Sequence, residues 1–155
     1  MASNLDSFVE TLQEHLLNKA REQYSAIVVD HWMHPRNLRV MDIPDGHSRI
    51  KGPCGDTMEI FIRVRDNKIT DASFVTNGCI TSIASGSMAV EMATGKSLEE
   101  AMNISQVGIL NELGGLPEEG QHCALLASNT LRAAVNNYTS SKNAIPCRTR
   151  PRYRR

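Results

Sequence analysis

One feature restricts the fold of this chain more than any other: a change from helical to alternating periodicity near its middle. From Thr57 to Arg65, Met58, Ile60, Ile62 and Val64 alternate with Thr57, Glu59, Phe61, Arg63 and Arg65, the pattern of a strand with one buried face. Asp66-Asn67 follows, a pair suited to a tight turn, and Lys68 to Thr76 is rich in β-branched and aromatic residues. The two runs therefore read as an antiparallel hairpin.

The segments on either side have helical character. Leu5, Phe8, Val9, Leu12 and Leu16 recur at helical spacing, and Ile27, Val28 and Trp32 continue the stripe. One helix is expected from a Ser3 or Asn4 cap to about His34, because Pro35 disfavours helical geometry in the residue before it. A loop is expected from Pro35 to Pro53, with Pro44, Asp45 and Gly46 as turn formers. Beyond Gly78, helical composition returns through Glu91 to Ala93, with Gly95 as a stop. Ser97 and Glu100 form a capping-box pattern for a short helix to Met102, and Ile109-Leu110 suggests another. Pro117-Glu118-Glu119 opens a last helix reaching about Tyr138. The order predicts an α+β fold, a small antiparallel β-sheet with helices packed on one face.

A chain of 155 residues fits one core and buries roughly two-thirds of its unfolded surface, so it does not need metal or disulfides to fold. Any metal is then functional rather than structural. Formal charge is zero overall, yet residues 1–141 hold 11 bases and 17 acids, whereas the last fourteen residues hold Lys142 and five arginines with no acid. The acidic body argues against a nucleic-acid binder, and the basic end reads as a solvated tail. No run of 18 apolar residues and no signal pattern occurs, and Asp6, Glu10, Glu14 and Glu22 are wrong for a transit peptide. A cytoplasmic protein with reduced thiols is expected, and no membrane partner.

Chemistry is expected at the cysteines. There is no C-x-x-C pair, so spacing alone gives no zinc-finger signal. Cys54 lies in the glycine-flanked Gly52-Pro53-Cys54-Gly55-Asp56 loop, Cys79 follows Gly78 where a strand yields to a helix, and Cys123 follows His122 near the start of the last helix. A lone cysteine is usually a small core hydrophobe, but thiols at helix starts meet unpaired N–H groups that favour the thiolate, the metal-binding form. Lowered thiol pKa values are accordingly expected for Cys79 and Cys123. Asp56 points to the same side as Cys54 if the strand begins there; otherwise it is a turn former. His122 and Cys123 are about 100° apart on a regular helix, a poor nucleophile–base pair, though a looser helix start lets both face one metal. Cys147, after Pro146 in the basic tail, reads as a bystander, and His15, His31, His34 and His47 as surface histidines.

Taken together, Tyr24 through Asn37, Gly52-Pro53-Cys54-Gly55-Asp56, Asn77-Gly78-Cys79 with Ser82-Ile83-Ala84-Ser85, and His122-Cys123 resemble the NifU/IscU-type iron–sulfur scaffold proteins. The match runs over about residues 24–138. It implies a scaffold domain at 24–140, flanked by an amino-terminal helical extension at 1–23 and the tail at 141–155. It also implies that Cys54, Cys79 and Cys123 hold a [2Fe-2S] cluster with Asp56 and His122 beside it. Cys123 would accept persulfide sulfur from a cysteine desulfurase, and apo iron–sulfur proteins would receive the cluster. Three thiolates with one harder carboxylate form a site that releases its cargo more readily than four cysteines would.

The segment Leu116-Pro117-Glu118-Glu119-Gly120 departs from the Leu-Pro-Pro-Val-Lys of members served by a dedicated Hsp70 chaperone, which argues against that route. Iron, or zinc in the isolated protein, suits the same donors. The competing readings are a zinc-bound cysteine-dependent sulfur-transfer protein or hydrolase, and a structural zinc protein. The amino-terminal helix suits either its own core or a partner subunit in a homodimer.

Overall fold

The computed structural model describes residues 4–143; Cys147 and the arginine-rich tail lie outside the described residues. The hairpin expected from the alternation has the expected bounds. Strands β2 (Thr57–Arg65) and β3 (Lys68–Thr76) pair antiparallel, with Met58 opposite Thr76 and Ile60 opposite Phe74. Asp66 and Asn67 both take positive φ, 52° and 61°, the mirror-image turn that matches the right-handed twist of the strands. A register shift between Arg63 and Val64 is held by Asp45, whose carboxylate accepts the Val64 N–H at 2.8 Å.

The expected Pro35–Pro53 loop contains a third strand, β1 (Gly46–Lys51), which pairs antiparallel with β2 and makes it the central strand. Its sequence, Gly-His-Ser-Arg-Ile-Lys, has no apolar alternation because helix packing, not its own side chains, holds it. Earlier in the same loop, Asn37 and Arg39 lie parallel to Phe74. The Arg39 N–H donates to the Phe74 carbonyl and the Phe74 N–H to the Asn37 carbonyl, both at 3.0 Å.

Six helices and a short 3-10 turn complete the order among the described residues. The single amino-terminal helix expected from the sequence is two, α1 (Asn4–Gln23) and α2 (Ala26–Met33). Ser25 breaks them: its hydroxyl caps α2 through the Val28 N–H and donates to the Leu113 carbonyl, a competing use of the backbone that favours a cap over helix interior. The stop near His34 is as expected. Then come α3 (Ile80–Ala93), α4 (Leu98–Met102) with both capping-box bonds formed, α5 (Gln106–Glu112), a 3-10 turn (Glu118–Gly120) and α6 (Gln121–Asn143). The last helix begins after the acidic pair and runs five residues past Tyr138.

Helices α3 and α6 pack against one sheet face, covering Met58, Ile60, Ile62 and Phe74, all fully buried. Helix α1 contributes little to this core: only Ala20 is buried, while Leu5, Phe8 and Leu16 are more than half exposed. His31, expected at the surface, is 3% exposed. Its Nδ1 is 2.8 Å from the Ser87 hydroxyl and its Nε2 3.2 Å from Glu91, so α2 is pinned to α3 by a polar bridge. Burial, reinforced by the Arg36 charge, holds its pKa below the ordinary histidine value.

Close approach between α3 and the sheet depends on Gly86, where a Cβ would lie 2.5 Å from Phe74 Cδ2. Gly86→Ala should therefore destabilise the protein by about 1–3 kcal/mol, the usual range for overpacking, although alanine is the better helix former. Urea unfolding followed by circular dichroism measures this, and an unchanged or higher midpoint would show that Phe74 yields.

Candidate functional site

The sheet and the two central helices bring three separate chain segments to one end of the molecule. The first is the turn before β2. The Gly52 N–H donates to the Asp56 carbonyl at 2.7 Å, and Gly55, at φ 92°, donates back to Gly52. This turn, not strand geometry, sets the first two candidates: β2 begins at Thr57, so the same-side argument for Cys54 and Asp56 does not apply. Cys54 is exposed, while the Asp56 carboxylate accepts the Ser82 hydroxyl at 2.8 Å.

Helix α3 starts at the second segment. Cys79 is its exposed N-cap residue, with Sγ 3.2 Å from the Thr81 hydroxyl. Burial raises its thiol pKa, but the Thr81 hydroxyl and the N–H groups of Ser82 and Thr81 outweigh that effect and leave it below the ordinary cysteine value, as expected for a thiol at a helix start. The third segment is the first turn of α6. Cys123 is 1% exposed, and its sulfur lies 3.3 Å from both the Thr81 and the Ser82 hydroxyls. Burial raises its pKa against those two hydroxyls; the expectation of a lowered value fails because desolvation outweighs the helix start.

His122 Nε2 is 3.6 Å from Cys123 Sγ, so consecutive residues do approach each other here. A continuous chain of contacts results, from Asp56 through Ser82 to Cys123, and from Cys123 through Thr81 to Cys79. Cys54 touches none of these groups by hydrogen bond, yet its charge adds to the rise in the Cys123 pKa, placing it within electrostatic reach. Among the described residues, no three Cys, His, Asp or Glu side chains already form a metal nest. Instead, hydroxyls occupy the spaces between the donors.

Glycines permit this closeness. A Cβ on Gly78 would stand 2.3 Å from Ser82 Oγ and 2.6 Å from the Asp56 carboxylate, and one on Gly120 would stand 2.7 Å from Thr81 Cγ2. Tyr24, at the α1–α2 break, belongs to the same neighbourhood: burial raises its phenol pKa, and the charges of Cys79, Glu119 and Cys123 raise it further. No motif in the sequence marks Thr81 for a role, and Tyr24 and Ser82 enter only among the residues that carry the family resemblance. Two hydroxyl residues in the first turn after Cys79 were the available signal.

A three-stranded sheet covered by two long helices, with Cys79 and Cys123 at the helix starts, defines a small α+β protein with thiols at one end. The chain belongs to the NifU-like N-terminal domain family, which it matches over residues 23–145. It is similar to the iron–sulfur cluster assembly scaffold protein IscU 1 of Archaeoglobus fulgidus, with 46% identity over 123 residues, 79% of this chain and 80% of that protein. The iron–sulfur cluster assembly scaffold protein IscU of Escherichia coli K12 is 41% identical over 126 residues, 78% of this chain and 98% of that one. The fold is also that of a NifU-like N-terminal protein from Brucella abortus (TM-score 0.60, 17% identity, 75% of this chain and 94% of that one). A putative scaffold for the SUF system from Fervidobacterium islandicum has the same fold (TM-score 0.59, 22% identity, 72% and 96%).

The opposed thiol shifts predict an order of reactivity. A depressed pKa keeps the thiolate to lower pH, and a raised one confines it to higher pH. Alkylation by iodoacetamide, mapped by peptide mass spectrometry, should therefore fall off at a lower pH for Cys79 than for Cys123, and the difference should vanish in denaturant. Coincident profiles in the folded protein would contradict the assignment.

Proposed function

We propose that this chain is a scaffold on which an iron–sulfur cluster is assembled and from which it is passed to other proteins. The observation that carries the proposal is the chain of contacts that joins Asp56, Cys79, His122 and Cys123 at the starts of α3 and α6, with exposed Cys54 in the neighbouring turn. The names of the relatives support it, and none of those names favours a zinc-bound sulfur-transfer protein. Residues 24–140 carry the scaffold, with α1 and the tail as additions to it.

The donor set fits this cargo. Thiolates are soft ligands suited to iron–sulfur clusters, and a single carboxylate lowers the stability of one corner. Cys54, Cys79 and Cys123 bind the iron of a [2Fe-2S] cluster, Asp56 supplies the weak ligand, and His122 stands beside Cys123. Exposed Cys54 and Cys79 are accessible to entering iron. Cys123 accepts sulfur: its thiolate attacks the outer sulfur of a cysteine desulfurase persulfide, a new S–S bond forms, and the desulfurase thiolate leaves. The chain itself then acts as carrier, not enzyme. Zinc bound to the isolated protein would use the same donors.

Anaerobic reconstitution with iron and sulfide should give visible cluster absorption that transfers to an apo-ferredoxin. Cys54→Ser, Cys79→Ser or Cys123→Ser should each abolish stable binding, whereas Cys147→Ser should leave it intact; equal loss in Cys147→Ser would mean a different ligand set. After incubation with a desulfurase and cysteine, mass spectrometry should find persulfide first on Cys123, and persulfide confined to Cys54 would contradict its role. Asp56→Ala should lengthen the half-life of the cluster absorption and slow transfer. A variant that loses its cluster faster than wild type would remove Asp56 from the role of labile ligand.

A further inference from the structure

The end of the molecule remote from the thiols holds an apolar groove with acids on its rim. Tyr24, just before α2, lies within electrostatic reach of Cys79, whereas His31 and Arg36 meet Ser87 and Glu91 further along α3. Helix α2 therefore runs in the same direction as α3 and carries Trp32 and Met33 away from the site. There Leu16 and Leu17 of α1 come alongside them, and the groove between the two helices measures about 570 Å³, with Glu10 and Glu14 on its α1 side. Leu16 and Met33 are half exposed.

Glu10 and Glu14 continue a row begun by Asp6, and four-residue spacing sets like charges next to one another on a helix, which disfavours it. A cation laid along the row relieves that repulsion. Asp30, Asp71 and Glu59 already face Arg36, Arg39 and His47, whereas Glu10 and Glu14 form no ion pair among the described residues.

The chain carries its own cations. Residues 144–155 hold Arg148, Arg150, Arg152, Arg154 and Arg155 and no acid. Helix α6 starts at the thiols and delivers this segment to the opposite end: Ala134 and Tyr138 lie against Gly46, at the end of β1 away from the Gly52–Asp56 turn. Fully extended, residues 144–155 reach about 40 Å, comparable with the width of a domain of this size. Alternate residues of an extended segment face one side about 7 Å apart, close to the roughly 6 Å rise between helix residues four apart. The alternate arginines thus match the pitch of the acidic row on α1, and Pro151 and Tyr153 fall on the other side, toward α2, where an aromatic-lined groove suits proline.

We propose that residues 144–155 dock as an extended segment in the groove between α1 and α2, with their arginines on Glu10 and Glu14 and Pro151 and Tyr153 against Trp32 and Met33. Exposed ion pairs are individually weak, but a tethered segment meets its groove at an effective concentration on the order of millimolar. Docking straps α1, of which only Leu17 and Ala20 are not exposed, onto the body. The strap lies far from the proposed cluster ligands and does not depend on them.

Trp32 is the chain's one tryptophan, so its fluorescence reports on this groove alone. The test is quenching by acrylamide, a neutral probe, in the metal-free, reduced full-length chain. Two sets of charge reversals are compared with wild type: Glu10→Lys with Glu14→Lys, and Arg148→Glu, Arg150→Glu, Arg152→Glu, Arg154→Glu and Arg155→Glu together. Each set should raise the quenching constant about twofold, as expected when a tethered segment that fills its site most of the time is released. Combining the two sets should restore protection, which a folding defect in either one would not do. Equal quenching in wild type and the arginine variant overturns the docking, and so does protection that survives the two glutamate reversals or a combined variant no better protected than its parents. Protection that weakens on dilution overturns it as well, because a second copy would then be covering Trp32 in place of the chain's own tail.

Discussion

The start of α3 lying against the start of α6 is the contact on which the site depends. It brings Cys79 and Cys123, 44 positions apart in the chain, to either side of one threonine hydroxyl. Helix starts repel each other through their unpaired N–H groups unless something negative or polar lies between. Here thiols and hydroxyls fill that place, and Gly120 removes the side chain that would hold the helices apart. The apolar core under β2 holds both helices in position, and it owes nothing to the site. Loss of a thiol is therefore expected to leave the fold standing.

The three thiols experience different environments although they share one end of the molecule. Two are exposed and one is buried; the pKa of Cys79 is lowered and that of Cys123 raised. Desolvation and hydrogen bonding act in opposite directions on the same chemical group, and depth decides which prevails. A division of labour follows, with accessible sulfurs facing solvent and a protected sulfur held near His122 and two hydroxyls.

Sequence reading reached the parts that local chemistry determines. The hairpin showed in its alternation and its Asp66-Asn67 turn, the α4 cap in Ser97 and Glu100, and the placement of Cys79 and Cys123 at helix starts in the residues around them. Interactions across distance stayed hidden. Strand β1 has no periodicity of its own and exists because β2 pairs with it on one side and α6 packs over it. Ser25 looked like any serine in a helical run, since its second bond, to Leu113, spans 88 positions. His31 had no motif to mark it as buried. Desolvation at Cys123 arises from residues packed around it by the whole fold, so a rule about helix starts gave the wrong sign. Asp56 and Ser82 likewise meet only after the sheet and α3 are assembled.

The segment laid along β3 restricts how this molecule meets others. Exposed strand edges invite pairing with any extended chain. Asn37 and Arg39 already occupy the Phe74 backbone groups on the β3 side. On the β1 side, the Asn137 side chain accepts the His47 N–H at 3.1 Å, and the Ser48 hydroxyl is spent on the Thr130 carbonyl. Each margin of the sheet is thus partly occupied, at Phe74 on β3 and at His47 on β1, which disfavours its extension by a visiting strand at those positions. Side chains and a crossing segment at the margins thus guard backbone groups that would otherwise be open to indiscriminate zippering.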